Sequence, residues 1–271
     1  MSVMRQLLLV FIGISSPIFA QKIEFYALPQ ELVEKRLAAY ATKNNQREPA
    51  LRQIFEEAGC SGMNLTEKPV KSLKAPNLIC SLNGTTDSVI LVGAHFDLEE
   101  AGHGVVDNWS GASLLPSLYQ GLSGVARRHT FRFVGFSGEE KGLVGSKAYV
   151  QQMNKTHEPV IAMVNMDTLG LAETEVWASR ADPELVQMIR RAAATLSLPV
   201  SAVNVEQVGS TDSEPFREKK IPTITIHSLT QETLSILHSR KDRIEAIRKD
   251  EYYRSYRLIL AFLALLDQSL D

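Results

Sequence analysis

The stretch Val89-Ile90-Leu91-Val92-Gly93-Ala94-His95-Phe96-Asp97 runs from an apolar segment into an imidazole and a carboxylate two residues apart. Such a run reads as a strand buried on both faces, and its polar end marks where the chain leaves the core. The pattern recurs. Phe131 to Phe136 leads through Ser137-Gly138 into Glu139-Glu140, Val160 to Met166 leads into Asp167, and Ile221 to Ile226 is a further apolar run. Helical segments separate these runs, and that alternation predicts an α/β domain.

Upstream, Leu32, Val33, Leu37 and Tyr40 fall on a helical spacing within residues 29–43, and Leu51, Ile54 and Phe55 do so within residues 47–58, with Gly59 as a stop. Residues 77–82 and 89–92 read as two strands joined through Asn83-Gly84 by a hairpin-like connection. Asp182-Pro183-Glu184 reads as an N-cap, a proline at the first helical position and an acidic first turn. Tyr252 to Leu266 reads as an amphipathic helix on the sheet, since it is short for a membrane span and contains Arg254 and Arg257. Pro116 requires the helix after Asn108-Trp109-Ser110-Gly111 to start late or to kink.

Residues 1–20 carry Arg5, an apolar stretch from Leu7 to Ile14 and a Ser/Pro/Ala segment ending at Ala20, the pattern of a secretory signal. Export to the periplasm or the medium is expected, with the uncleaved segment as an anchor being the alternative. Residues 21–271 then form a single catalytic domain without repeats or long linkers. The net charge of −2 arises from scattered residues, which lacks the basic footprint of a nucleic-acid binder. Cys60 and Cys80 are the only cysteines, and an even pair in an exported chain reads as a disulfide, two separately buried thiols being the other possibility.

The polar residues at the run ends suit a hydrolytic two-metal centre. Such a centre needs a bridging carboxylate, imidazole and carboxylate ligands on each cation, and an unligated carboxylate to take a proton from water. Asp107 can bridge, His95, Asp167, Glu140 and His238 can terminate, and Glu139 is left as general base. Asp97 reads as the acceptor that orients His95, and Asp242 as a supporting residue for His238. A lone His-x-Asp or an adjacent acid pair is weak evidence; the ordered set is specific.

Gly93-Ala-His-Phe-Asp97, Asp107-Asn-Trp-Ser-Gly111, Gly138-Glu-Glu-Lys-Gly-Leu-Val-Gly-Ser146, Asn165-Met-Asp167, Asp212-Ser-Glu-Pro-Phe216 and His238 to Asp242 resemble metallopeptidase family 28, the dizinc aminopeptidases. The resemblance implies a three-layer α/β/α sandwich around a mixed, mostly parallel sheet. It implies two zinc ions bridged by Asp107, with His95 and Asp167 on one, and Glu140 and His238 on the other. It also implies that peptides lose amino-terminal residues to a metal-bridged hydroxide, with Glu139 moving the proton.

Two positions depart from the family pattern. Trp109 replaces a commonly small residue, which suggests a bulkier rim or a packing residue beneath the loop. Ser213 replaces a histidine or tyrosine that can help stabilise the oxyanion. His103 and His227 have no place in the ligand set and read as a loop residue near the cleft and a strand-end residue. The alternatives are a glutaminyl cyclase, a single-zinc acyltransferase of the same fold, and a non-catalytic binding ectodomain; the latter would be expected to have lost ligands or base.

Overall fold

The computed structural model describes residues 6–12, 21–204 and 209–270. In chain order these form β1 (Gln6–Ile12), β2 (Gln21–Ala27), α1 (Gln30–Leu37), α2 (Asn44–Glu57), β3 (Leu65–Lys68), β4 (Asn77–Leu82), β5 (Val89–His95), the single turn α3 (Ser110–Ala112) and α4 (Leu114–Leu122). They continue as β6 (Thr130–Phe136), α5 (Val144–Thr156), β7 (Val160–Met166), β8 (Glu175–Trp177), α6 (Pro183–Leu196), β9 (Ser201–Val203), α7 (Glu214–Arg217), β10 (Thr223–His227) and α8 (Lys249–Ser269). β1 and β2 pair antiparallel in a small separate sheet. Within the expected export segment only this strand is described; Arg5 and Ala20 lie outside the described residues.

The main sheet has eight strands in the order β3-β4-β6-β5-β7-β10-β8-β9. β6, β5, β7 and β10 are mutually parallel neighbours, while β3, β4 and β8 supply the antiparallel pairings. The hairpin expected between β4 and β5 does not form. β6 lies between them, antiparallel to β4 and parallel to β5. Residues buried on both faces satisfy the apolar pattern in either arrangement, so the pattern does not choose the neighbour.

Alternate residues of each strand enter different layers. Leu78, Ile90, Phe133, Val164 and Ile226 join the larger core with α1, α2, α4, α6 and α8, whereas Ile79, Leu91, Val134 and Met163 pack with Tyr149 and Met153 of α5 and Phe216 of α7. The result is the three-layer α/β/α sandwich. Cys60 and Cys80 are joined by a disulfide that ties the end of α2 to β4.

Three local expectations meet the structure in detail. Asp182 caps α6 by accepting the N–H groups of Glu184 (2.9 Å) and Leu185 (3.3 Å), as its position before Pro183 implies. Pro116 lies in the first turn of α4, which starts late at Leu114, where a missing N–H costs no helical hydrogen bond. The first helix is shorter than its apolar spacing suggests, ending at Leu37, and α2 starts earlier, at Asn44. No helix among the described residues is long and apolar enough to cross a membrane.

Candidate metal centre

β5, β6 and β7 run parallel, so their carboxyl ends share one edge of the sheet, the edge where open α/β sheets bind ligands. His95 is the last residue of β5, Glu139-Glu140 follow β6 and Asp167 follows β7. Gly138, at φ +71°, turns the chain out of β6 immediately before the two acids. Asp107 arrives from the loop before α3, and His238 from the segment after β10.

The Asp107 carboxylate divides its oxygens between two partners. Oδ1 lies 3.2 Å from His95 Nε2, and Oδ2 lies 3.2 Å from His238 Nε2. His238 Nε2 is also 3.1 Å from Glu140 Oε2, and His95 Nε2 is 3.9 Å from Asp167 Oδ1. Donor atoms of His95, Asp107 and Glu140 lie within 4.8 Å of one another. Zinc with bonds of about 2.0–2.1 Å and tetrahedral geometry sets ligand separations of roughly 3.3 Å, so this nitrogen and oxygen set fits that ion. Glu140 Oε1 is buried without a hydrogen-bond partner, a second sign that the set suits a cation.

Electrostatics point the same way. Burial and the charges of Asp212, Asp167 and Asp107 push Glu139 up to about 9, against the pull of His95. Burial and Asp107 likewise push Glu140 up to about 7, and burial raises Asp167 to about 6. Burial opposes the anion at Asp107 as well, but hydrogen bonds from His238 and His95 hold its carboxyl well below the usual range. The hydrogen bond to Asp107 raises His238 to about 9. Carboxylates crowded this way demand positive charge, which a bound divalent ion supplies.

Polar contacts behind the cluster fix its shape. Asp97 accepts the backbone N–H groups of Glu139 (3.1 Å) and Glu140 (3.3 Å), and its Oδ1 lies 3.6 Å from His95 Nδ1. Asp242 accepts the N–H groups of Val106 (2.7 Å) and Asp107 (3.1 Å), so it supports the Asp107 backbone rather than His238. Asn108 donates to Met166 O (2.8 Å) and accepts from Gly111 and Thr168, joining the Asp107 loop to the end of β7. The Asp107-Asn108 peptide is cis. The Asp107-Asn-Trp-Ser-Gly111 motif marks Asn108 beside Asp107 but does not reveal these contacts.

Arg47 was also missed. Its guanidinium is buried beneath this loop, donating to the carbonyls of Phe96, Ala41 (3.2 Å), His103 (3.1 Å) and Gly104 (2.7 Å). Gly104, at φ +59°, passes so close that a Cβ would meet Arg47 Nη1 at 2.8 Å. Trp109 is fully buried, with its ring centroid 5.1 Å from the Arg47 guanidinium, so it packs beneath the loop and does not form the rim. Ser213 is buried, and its hydroxyl lies 2.9 Å from those of Thr211 and Thr225.

A cleft of about 140 Å³ opens over the cluster, bordered by Glu139, Asp167, Trp177, His227, Leu237 and His238 among others. A larger groove of about 720 Å³ between α5 and the β3–β4 edge lies elsewhere, and its Arg132 and Glu158 pair with each other. It brings together no comparable donor set.

Known proteins carry the same arrangement of elements. A computed superposition with the aminopeptidase LapA of Legionella pneumophila gives a TM-score of 0.79 at 20% identity, covering 90% of this chain and 73% of that one. A zinc aminopeptidase from Bacillus subtilis matches with a TM-score of 0.63 at 26% identity, covering 70% of this chain and 49% of its own. In sequence, leupeptin-inactivating enzyme 1 of Streptomyces exfoliatus is 28% identical over 193 residues, which are 70% of this chain. The chain spans 41% of that relative's length. The family model for peptidase family M28 matches residues 77–263, from β4 through most of α8 and across every member of the cluster, and the chain therefore belongs to peptidase family M28.

Proposed function

We propose that this chain is an exported, zinc-dependent aminopeptidase that removes amino-terminal residues from peptides. The observation that carries the reading is the Asp107 carboxylate, with one oxygen facing His95 and the other facing His238, whose Nε2 also lies against Glu140. In this reading Asp107 would be shared by two zinc ions, with His95 and Asp167 holding one and Glu140 and His238 the other. When bound, the ions supply an acidified water and polarise the scissile carbonyl.

The remaining chemistry belongs to the chain. Glu139, on the rim of the cleft and outside the ligand set, takes the proton of the attacking water and delivers it to the leaving amine. Asp97 fixes the Glu139-Glu140 backbone, and its carboxylate faces His95 Nδ1 at 3.6 Å. The small cleft admits one terminal side chain better than a long segment of peptide, which favours an exopeptidase. Export is supported by the composition of residues 1–20 and by the Cys60–Cys80 disulfide, which suits an oxidising compartment.

The test is a panel of free and amino-acetylated peptides assayed with and without chelator. Release of amino-terminal residues from the free peptides alone, lost on chelation, is the expected result. Cyclisation of amino-terminal glutamine without peptide-bond cleavage would replace this reading with the cyclase.

A further inference from the structure

One buried imidazole in the cleft belongs to neither the proposed ligand set nor the proton path. His227 ends β10, is 3% exposed, and borders the cleft. Its Nδ1 accepts the Leu229 N–H at 3.1 Å, while Glu175 Oε2, at 3.8 Å, is beyond hydrogen-bond reach. Burial pushes the ring down to about 4, so it is neutral at physiological pH. With Nδ1 accepting, the single ring proton resides on Nε2. That Nε2 is buried and has no partner. An N–H group held this way is a standing donor that something entering the cleft would satisfy.

The sheet fixes which part of a substrate it would meet. Ile226 of β10 is in register with Met166 of β7, which places His227 beside Asp167, and β5 with His95 lies on the far side of β7. Two strand spacings put the backbones of His227 and His95 about 10 Å apart. His227 therefore lies on the Asp167 side of the cluster, on the flank of the cleft opposite β5 and His95. Trp177, Leu229 and Leu237 border the same space as apolar walls; the hydroxyls of Thr168, Thr211 and Thr225 there already have partners, which leaves the His227 Nε2–H as the unsatisfied donor.

We propose that His227 is a specificity-determining residue, whose Nε2–H selects an amino-terminal side chain bearing a carbonyl acceptor, as in asparagine or glutamine. The inference rests on the aminopeptidase reading above. Apolar walls alone would favour leucine over its near-isostere asparagine; a buried donor reverses that order, because leucine leaves the N–H unpaired.

The test uses the zinc-loaded full chain with asparaginyl and leucyl p-nitroanilides. The expected wild-type kcat/KM ratio favours asparagine by on the order of 10-fold. His227→Phe collapses that ratio toward one, and His227→Gln, which keeps an N–H donor, restores part of it. A wild-type ratio favouring leucine overturns the proposal without any variant, as does an unchanged ratio in folded His227→Phe. If the wild type cleaves neither compound nor any peptide, the aminopeptidase reading fails, and calorimetric binding of asparagine and leucine hydroxamates then decides the role of His227. Tighter asparagine hydroxamate binding that is lost in His227→Phe sustains it; equal wild-type affinities overturn it.

Discussion

The carboxylate of Asp97 accepts the backbone N–H of Glu139 at 3.1 Å, so the residue two positions after His95 holds the loop that follows the neighbouring strand. A single side chain thereby couples an imidazole ligand candidate to the proposed base. Asp97→Ala is expected to lower zinc affinity and turnover by about 10- to 100-fold while the fold persists. Competition with a chromogenic chelator, run beside thermal unfolding, checks this; unchanged affinity would show that Asp97 does not organise the site.

Glu139 and Asp107 are expected to fail differently. Glu139→Gln keeps zinc and loses turnover by roughly 100- to 10,000-fold, the range of general-base contributions. Asp107→Asn loses the metal itself, because one carboxylate serves both halves of the cluster. Kinetics paired with metal analysis separate the two, and near-normal turnover in metal-replete Glu139→Gln would remove that residue from the mechanism.

Reduction of the Cys60–Cys80 bond is expected to destabilise the protein by roughly 3 kcal/mol, from a closed loop with a sequence separation of 20. Neither sulfur belongs to the cluster, so activity measured well below the melting point changes less than the melting temperature. Thermal unfolding with and without reductant gives the comparison; an unchanged melting temperature after verified reduction would contradict it.

The buried His227 makes stability depend on acid. Its folded-state pKa is lowered from 6.5 to about 4, so between those values the unfolded chain binds a proton that the folded chain refuses. Its contribution to stability is therefore present above pH 6.5 and is lost as pH falls toward 4, by roughly 3 kcal/mol at full depth. Urea unfolding of wild type and His227→Phe across this window measures the difference. Parallel stability curves would show that the ring does not titrate this way.

Much of the centre was legible because its residues stand where apolar runs stop. His95, Glu139-Glu140 and Asp167 follow β5, β6 and β7, and parallel strands bring such ends to one edge. The insertion of β6 between β4 and β5 was not legible, because two-sided burial erases the alternation that would mark a strand's partners. Arg47 escaped, and Asp242 was read as a support for His238 instead of for the Asp107 loop, for another reason. Both bind main-chain groups of the Asp107 loop, and backbone hydrogen bonds place no demand on the residue types they reach. Trp109 left open a choice between rim and support until its burial over Arg47 decided for support.

Sharing of Asp107 between two zinc ions is tested by activity as a function of zinc bound per chain. The metal-stripped full chain is titrated with zinc while bound metal and hydrolysis of an unblocked peptide are followed together. Full activity is expected only at two equivalents per chain, and Asp107→Asn is expected never to reach it. Full peptide hydrolysis at one equivalent, with no further rise at the second, would contradict it.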